Sequence, residues 1–275
     1  MLTAIVAAME EEIGPLRARL TDVTVRPATG ARVSVGKLGD APVALAVTGD
    51  GARNARRGLA ALLAVVPAGR IIVVGVAGGL SADLEVAGLV VGERVVDESS
   101  GGVSETDSSL TELVATASGA RRGVVASAVR IADTAAEKQR LLALAAPDAG
   151  HPAAVVDLES AAFAGVAMRA SLPFTVLRAV SDPAGESVPA LLNQSRDAGG
   201  AVRRGRVALG LLSRPGDLRR LLELRDRVRA CAGGLARAVE VSVAAIHAVD
   251  VAAAAAAPPM KSRSHSPIES SGKEV

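Results

Sequence analysis

Hydrophobic and polar positions along the chain follow two alternating rhythms. Short runs rich in Val, Ile and Ala, at residues 3–8, 43–47, 71–76, 89–96, 124–129 and 174–180, have the length and composition of strands. Between them, residues 11–20, 53–66, 134–145 and 160–170 repeat apolar side chains at helical spacing. A further run, "AAVVDL" at 153–158, reads as a strand ending beside acidic residues. This alternation predicts an α/β layer fold, and strands that are apolar almost without interruption predict a sheet covered on both faces.

From Val202 the pattern becomes arginine-rich helix, broken once at Arg214-Pro215-Gly216. Asp217 is placed to cap a second helix, with Leu218, Leu221, Leu222, Val228, Ala232 and Leu235 near one face and arginines around the rest. Residues 1–200 are therefore expected to form a catalytic domain, with 201–249 as helices packed on or beside it. The basic face is expected in solvent, with peripheral contact to an anionic membrane surface as the sharper alternative. Six alanines and "PPMKSRSHSPIESSGKEV" follow, so 250–275 is expected to be a disordered tail.

Composition narrows the function. Of the 275 residues 49% are hydrophobic, enough for one sizeable core. The net charge is only +2, and with no Trp, no Tyr and two Phe there are few platforms for stacking bases, so nucleic acid is not an expected partner. The single cysteine, Cys231, excludes an intrachain disulfide. No basic n-region and cleavage site opens the chain, and its apolar runs are strand length, so a cytoplasmic protein without a membrane span is expected. His151, His247 and His265 stand far apart, and no metal site is expected.

Two glycine motifs carry little weight. "GARVSVGKL" (30–38) has five residues between its glycines and Leu38 where a phosphate loop needs Ser or Thr. "TGDGARN" (48–54) has Asn54 at the third glycine position, although a ligand near Gly49–Gly51 suits the start of a helix. More is carried by acids at strand ends. Glu10, Glu11 and Glu12 follow the first strand, Glu159 follows "AAVVDL", and Asp182 follows "FTVLRAV". Open α/β sheets bind ligands beyond the carboxyl ends of their strands, and acids held in different protonation states in one pocket suit glycosidic chemistry.

The blocks "AIVAAMEEEIGPLRARL" (4–20), "VVGVAGGL" (73–80) and "VVDLESAAFAGVAMRASLPFTVLRAVSDPA" (155–184) resemble, in order and spacing, the nucleoside phosphorylase and nucleosidase superfamily. The first and third look especially like methylthioadenosine/S-adenosylhomocysteine nucleosidases. "SDPAGESVP" and "LLSRPGDLRRLLELRDRVR" look more like the hopanoid-associated phosphorylases. The resemblance implies a three-layer α/β/α fold with a mostly buried mixed central sheet, assembled as a homodimer or larger homo-oligomer. It implies release of adenine from a 5′-modified nucleoside: methylthioadenosine, S-adenosylhomocysteine or, after the hopanoid-associated group, an adenosylhopane-type lipid nucleoside. Futalosine-type substrates are a third option within this class.

By the same resemblance, Asp182 protonates the leaving purine at N7, Glu159 beside Leu158 binds the ribose hydroxyls, and Glu12 orients or deprotonates water. Ser181, Val76, Ala77 and Gly78 border the purine and the nucleophile. No cofactor is implied, with phosphate as the alternative co-substrate. These roles suit the chemistry, because N-ribosidic cleavage builds positive charge on the sugar and negative charge on the base. Asp182 is then expected to hold, or to share, a proton near neutral pH and Glu159, near a helix amino terminus, to stay ionised.

The chain departs from the family in three places. Asp157-Leu158-Glu159 stands for the usual Glu-Met-Glu, Val76 stands where many relatives carry serine, and the purine-stacking aromatics are missing, with Phe163 and Phe174 both in core segments. An aliphatic pocket follows, suited to a large apolar 5′ group. Arg53, Arg56 and Arg57 are the available phosphate cradle, but an extra acid at Glu12 disfavours phosphate, so hydrolysis is expected over phosphorolysis. A catalytically silent nucleoside-binding protein is the rival from another class.

Overall fold

The structure is a computed structural model and describes residues 1–147, 153–197, 207 and 216–256. Ten strands form one mixed sheet. They are β1 (Thr3–Ala7), β2 (Thr21–Arg26), β3 (Arg32–Leu38), β4 (Ala41–Val47), β5 (Arg70–Gly79), β6 (Leu89–Asp97), β7 (Val103–Glu105), β8 (Arg121–Ser127), β9 (Ala153–Asp157) and β10 (Phe174–Asp182). The described helices are α1 (Glu10–Arg17), α2 (Ala52–Val65), α3 (Ser108–Ser118), α4 (Ala135–Ala145), α5 (Ser160–Arg169), the single turn α6 (Leu191–Gln194) and the long α7 (Gly216–Ala256).

The strand order is β10-β6-β8-β9-β5-β1-β4-β3-β2, and β10 also pairs with β5. Strands β5, β9, β8, β6 and β10 therefore close into a ring, and β1, β4, β3 and β2 extend from β5 as an open wing. Closure removes the free edges of the most apolar strands. Both β1 and β10 are buried along their whole length, as a sheet covered on two faces requires.

Helices α2 and α5 cover one face, where Leu59, Leu62 and Phe163 pack against β1, β5 and β10. Helices α1, α3 and α7 cover the other, where Ile13, Leu16, Val114 and Leu235 meet Ile5, Ile72 and Leu177. Helix α4 lies on β8 and β9 through Leu141 and Ala145. The result is the α/β/α layering expected from the alternating pattern. Phe163 and Phe174 are both core residues, as read from their segments.

Other segments add to or correct the sequence reading. The motif at 30–38 contains strand β3, whose residues alternate only partly and end in a hairpin to β4. Strand β2, whose Val23 and Val25 alternate with polar residues, is exposed throughout and is not among the strands expected from sequence. Helix α7 runs through Asp250 to Ala256, so helical structure extends beyond the expected start of a disordered tail. Asp250 anchors it, accepting from Arg70 at 2.7 Å and pairing with the amino-terminal ammonium at 3.3 Å. The remainder of that expected tail, and the Arg214-Pro215 break, lie outside the described residues.

By length and composition α7 is also a candidate membrane span. Its Cys231, Leu235, Val239, Val243 and Ile246 recur every three or four residues and are buried against α1, α3 and β10, as in a core helix. Cys231 is a free thiol donating to the Val180 carbonyl, and His247 is half-buried on the same helix. His151 and His265 lie outside the described residues.

Candidate active site

The parallel strands β1, β5 and β10 end on one side of the sheet. Strand β9 reaches the same place differently. It runs antiparallel to β5 and crosses its last residues, with Val156 opposite Gly78, so ring closure delivers its carboxyl end to the site. There a cavity of about 670 Å3 opens, within the size range of small-molecule sites. Glu12, Val76, Ala77, Gly78, Leu158, Glu159, Ser181 and Asp182, the residues singled out from sequence, all line it.

Glu12 is the third residue of α1, and its Oε2 accepts the Met9 amide at 2.9 Å, closing the first turn as a capping glutamate does. Its Oε1 accepts the Val76 amide at 3.0 Å. Val76 thus serves through its backbone. Burial pushes the Glu12 carboxyl above its ordinary value; Arg178 and the two amides pull it back, and Asp50 adds to the rise.

Glu159 ends the β9 segment and begins α5, but its side chain does not cap its own helix. It turns to the loop before α2, where its Oε1 accepts the Gly51 amide at 2.8 Å. Gly51 holds φ of 86°, a conformation that aims this N–H at the acid and suits glycine. Burial above all, with the neighbouring Asp157 carboxylate, lifts the Glu159 pKa to about 7, against the pull of the Gly51 amide. The expectation that Glu159 simply stays ionised is thereby corrected, because desolvation outweighs the favourable amide.

Behind these acids stands Arg178, 2% exposed and register partner of Gly75 across β10 and β5. It pairs with Asp157 and donates to the Ser160 hydroxyl at 2.9 Å, while that hydroxyl donates to Asp157 at 2.5 Å. The carboxylate partner in this buried ion pair is the aspartate of the altered triplet.

Asp182 is held from two sides. Its Oδ1 accepts from the Ser181 hydroxyl at 2.5 Å, and its Oδ2 receives the ammonium of Lys138 at 2.5 Å. The acid is thus one half of a buried ion pair, whose other half the sequence reading did not supply. Lys138 was missed by sequence reading. Its signal was its position, three residues before Leu141 and seven before Ala145, which puts a lysine on the buried stripe of α4.

Ile131, Ala132, Val156, Val188 and Leu192 make the cavity wall aliphatic, and Leu221, Leu224 and Val228 of α7 close over it together with Arg225 and Arg229. The arginine-rich helix, expected to meet only core and solvent or membrane, thus completes the pocket. Arg53, Arg56 and Arg57 are exposed on α2 and do not line the cavity. Among the described residues no group of three His, Cys, Asp or Glu side chains is placed to hold a metal ion.

Comparison with known proteins gives this geometry a relationship. A family model described as "Phosphorylase superfamily" matches residues 3–212. The chain is 30% identical over 203 residues to a 5′-methylthioadenosine/S-adenosylhomocysteine nucleosidase of Geobacillus kaustophilus, covering 68% of this chain and 86% of that one. Its fold matches the corresponding nucleosidase of Neisseria meningitidis in complex with methylthio-immucillin-A, with TM-score 0.70, 22% identity and coverage of 88% and 98%. It also matches a futalosine hydrolase mutant of Helicobacter pylori, with TM-score 0.68, 19% identity and coverage of 89% and 99%. A cavity of strand-end acids on this fold, matched along most of the chain, identifies an enzyme of the nucleoside phosphorylase and nucleosidase type, and the chain belongs to the phosphorylase superfamily.

Proposed function

We propose that the enzyme hydrolyses the N-ribosyl bond of an adenine nucleoside carrying an apolar 5′ substituent, without a cofactor. The observation that carries this reading is the convergence of Glu12, Glu159 and Asp182, from three distant segments, on one largely aliphatic cavity. The nucleosidase relatives support the same reaction class. As the C1′–N9 bond lengthens, Asp182 supplies a proton at the purine N7, Glu159 accepts from the ribose hydroxyls, and Glu12 takes the proton of the attacking water. Water suits this site better than phosphate, because Glu12, ionised to act as the base, would repel a phosphate placed to attack C1′.

The roof of Leu221, Leu224 and Val228 favours a bulky aliphatic 5′ group, of which an adenosylhopane-type lipid is the extreme and a methylthio group the smallest example. The test is chromatography of free base after incubation with methylthioadenosine, S-adenosylhomocysteine, adenosine, inosine, futalosine and adenosylhopane, each with and without phosphate. Adenine released without phosphate, fastest from an apolar 5′ nucleoside, is the expected result. Strict phosphate dependence would overturn hydrolysis, and preference for adenosine would overturn the 5′ assignment.

A further inference from the structure

We propose that Lys138 is a positioning residue for the reaction, holding Asp182 and supplying the proton that Asp182 passes to the departing purine. The proposal rests on the reading of Asp182 as the acid.

Lys138 is 1% exposed, and its Nζ has three acceptors: Asp182 Oδ2 at 2.5 Å, the Pro183 carbonyl at 2.6 Å and the Glu186 carbonyl at 3.0 Å. An ammonium carries three N–H bonds, so every donor is used. A lysine placed only to fill the stripe of α4 would cost its desolvation for nothing. Two of the acceptors belong to the loop that leaves β10 directly after the acid, so the same ammonium fixes the carboxylate and its loop. The arrangement also remains satisfied after a proton has left. A neutral amine keeps two N–H bonds, matching the two carbonyls, while the proton passes to Asp182 Oδ2.

The step balances as follows. The C1′–N9 electron pair passes to the purine as the water oxygen bonds C1′. Water yields a proton to Glu12, while Lys138 gives one to the Asp182 carboxylate and Asp182 passes it on to N7, so that the pair ends as neutral amine and carboxylate. Solvent returns the proton collected at Glu12 to the amine. Charged neighbours of the pair are Arg227 of α7, which is bonded to Glu186 at 2.7 Å, and Glu186 itself; the buried Cys231 thiol of α7, which donates to the Val180 carbonyl, lies within the electrostatic reach of Asp182. On α4, Glu137 is turned to Arg140 and Arg130, and on β9 Asp157 is taken by Arg178.

The test is the pH profile of Lys138→Met, an unbranched substitution that keeps the packing, on an adenine nucleoside and on a nitrophenyl riboside whose leaving group needs no proton. With the lysine gone Asp182 must hold its own proton, so base release at pH 8 should fall at least 100-fold and recover in acid, the alkaline limb moving down by more than one pH unit. Nitrophenyl riboside turnover should stay within about fivefold. An unmoved limb, or equal loss on both substrates at every pH, would overturn the proposal. If the variant does not fold, the unmodified enzyme decides: its alkaline limb should move to lower pH on warming, as an ammonium's does and a carboxyl's hardly does, and should be unchanged in Cys231→Ala. A temperature-independent limb, or one that follows Cys231, would count against the lysine. Failure of the functional reading itself is separate, and shows as an unmodified protein that releases no base from any nucleoside.

Discussion

Gly75 and Arg178 occupy the same register position on adjacent strands, and the arginine fits only because position 75 has no Cβ. A methyl group there would overlap the guanidinium and lie 2.7 Å from Glu12 Oε1. Gly75→Ala is therefore expected to displace both charged groups and lower kcat/KM at least 100-fold, a larger effect than its change in stability would suggest. Steady-state kinetics beside a thermal melt will separate the two.

Asp182→Asn and Glu12→Gln keep shape and remove the transferable proton or the base. Each is expected to reduce turnover by about 10² to 10⁴ while the fold is retained. Base release followed by chromatography, with circular dichroism as the check on folding, measures this; near-normal rates for either variant would remove that residue from the mechanism.

Glu159 links stability and binding to pH. Its folded pKa, about 7, stands above its ordinary value of 4.5, so the folded state holds a proton that the unfolded chain has released. The stabilisation is complete below about 4.5 and is lost as pH rises through about 7, a change on the order of 3 kcal/mol for this group. Melting temperature of the ligand-free protein should decline across that window, and Glu159→Gln should flatten the decline. Because ribose hydroxyls donate to the ionised acid, KM should rise as pH falls below about 7.

The α7 roof is expected to read the 5′ group. Leu224→Asp puts a charge against the aliphatic wall, raising KM at least 10-fold for nucleosides with long apolar 5′ groups and changing KM for adenosine by less than about threefold. Equal effects on both would mean that the roof does not contact the substituent.

Phe163 is buried between α5 and the sheet. Phe163→Ala should destabilise by about 3–5 kcal/mol, with a matching drop in denaturation midpoint. A loss below about 1 kcal/mol would argue that the aromatic has no packing role.

Much of this protein is legible in its sequence. The α/β class, the covered sheet and the acids at strand ends, Glu10 to Glu12, Glu159 and Asp182, follow from apolar periodicity because those signals are local, and the family resemblance singles out Glu12 among its neighbours. What could not be read locally is how partners meet. An edge strand such as β2 has only Val23 and Val25 to announce it, both exposed, and the crossing of β9 over β5 depends on closure of the ring. Glu159 was legible as an acid but not in its protonation, which is set by burial and by charges brought from other elements, and Asp182 was legible without its ionic partner. The tertiary structure alone decided that Lys138 reaches Asp182, that Asp157 holds Arg178, and that α7 roofs the cavity. Chain order supplies the residues at the strand ends, while packing of distant elements sets their dielectric surroundings and their ionic partners.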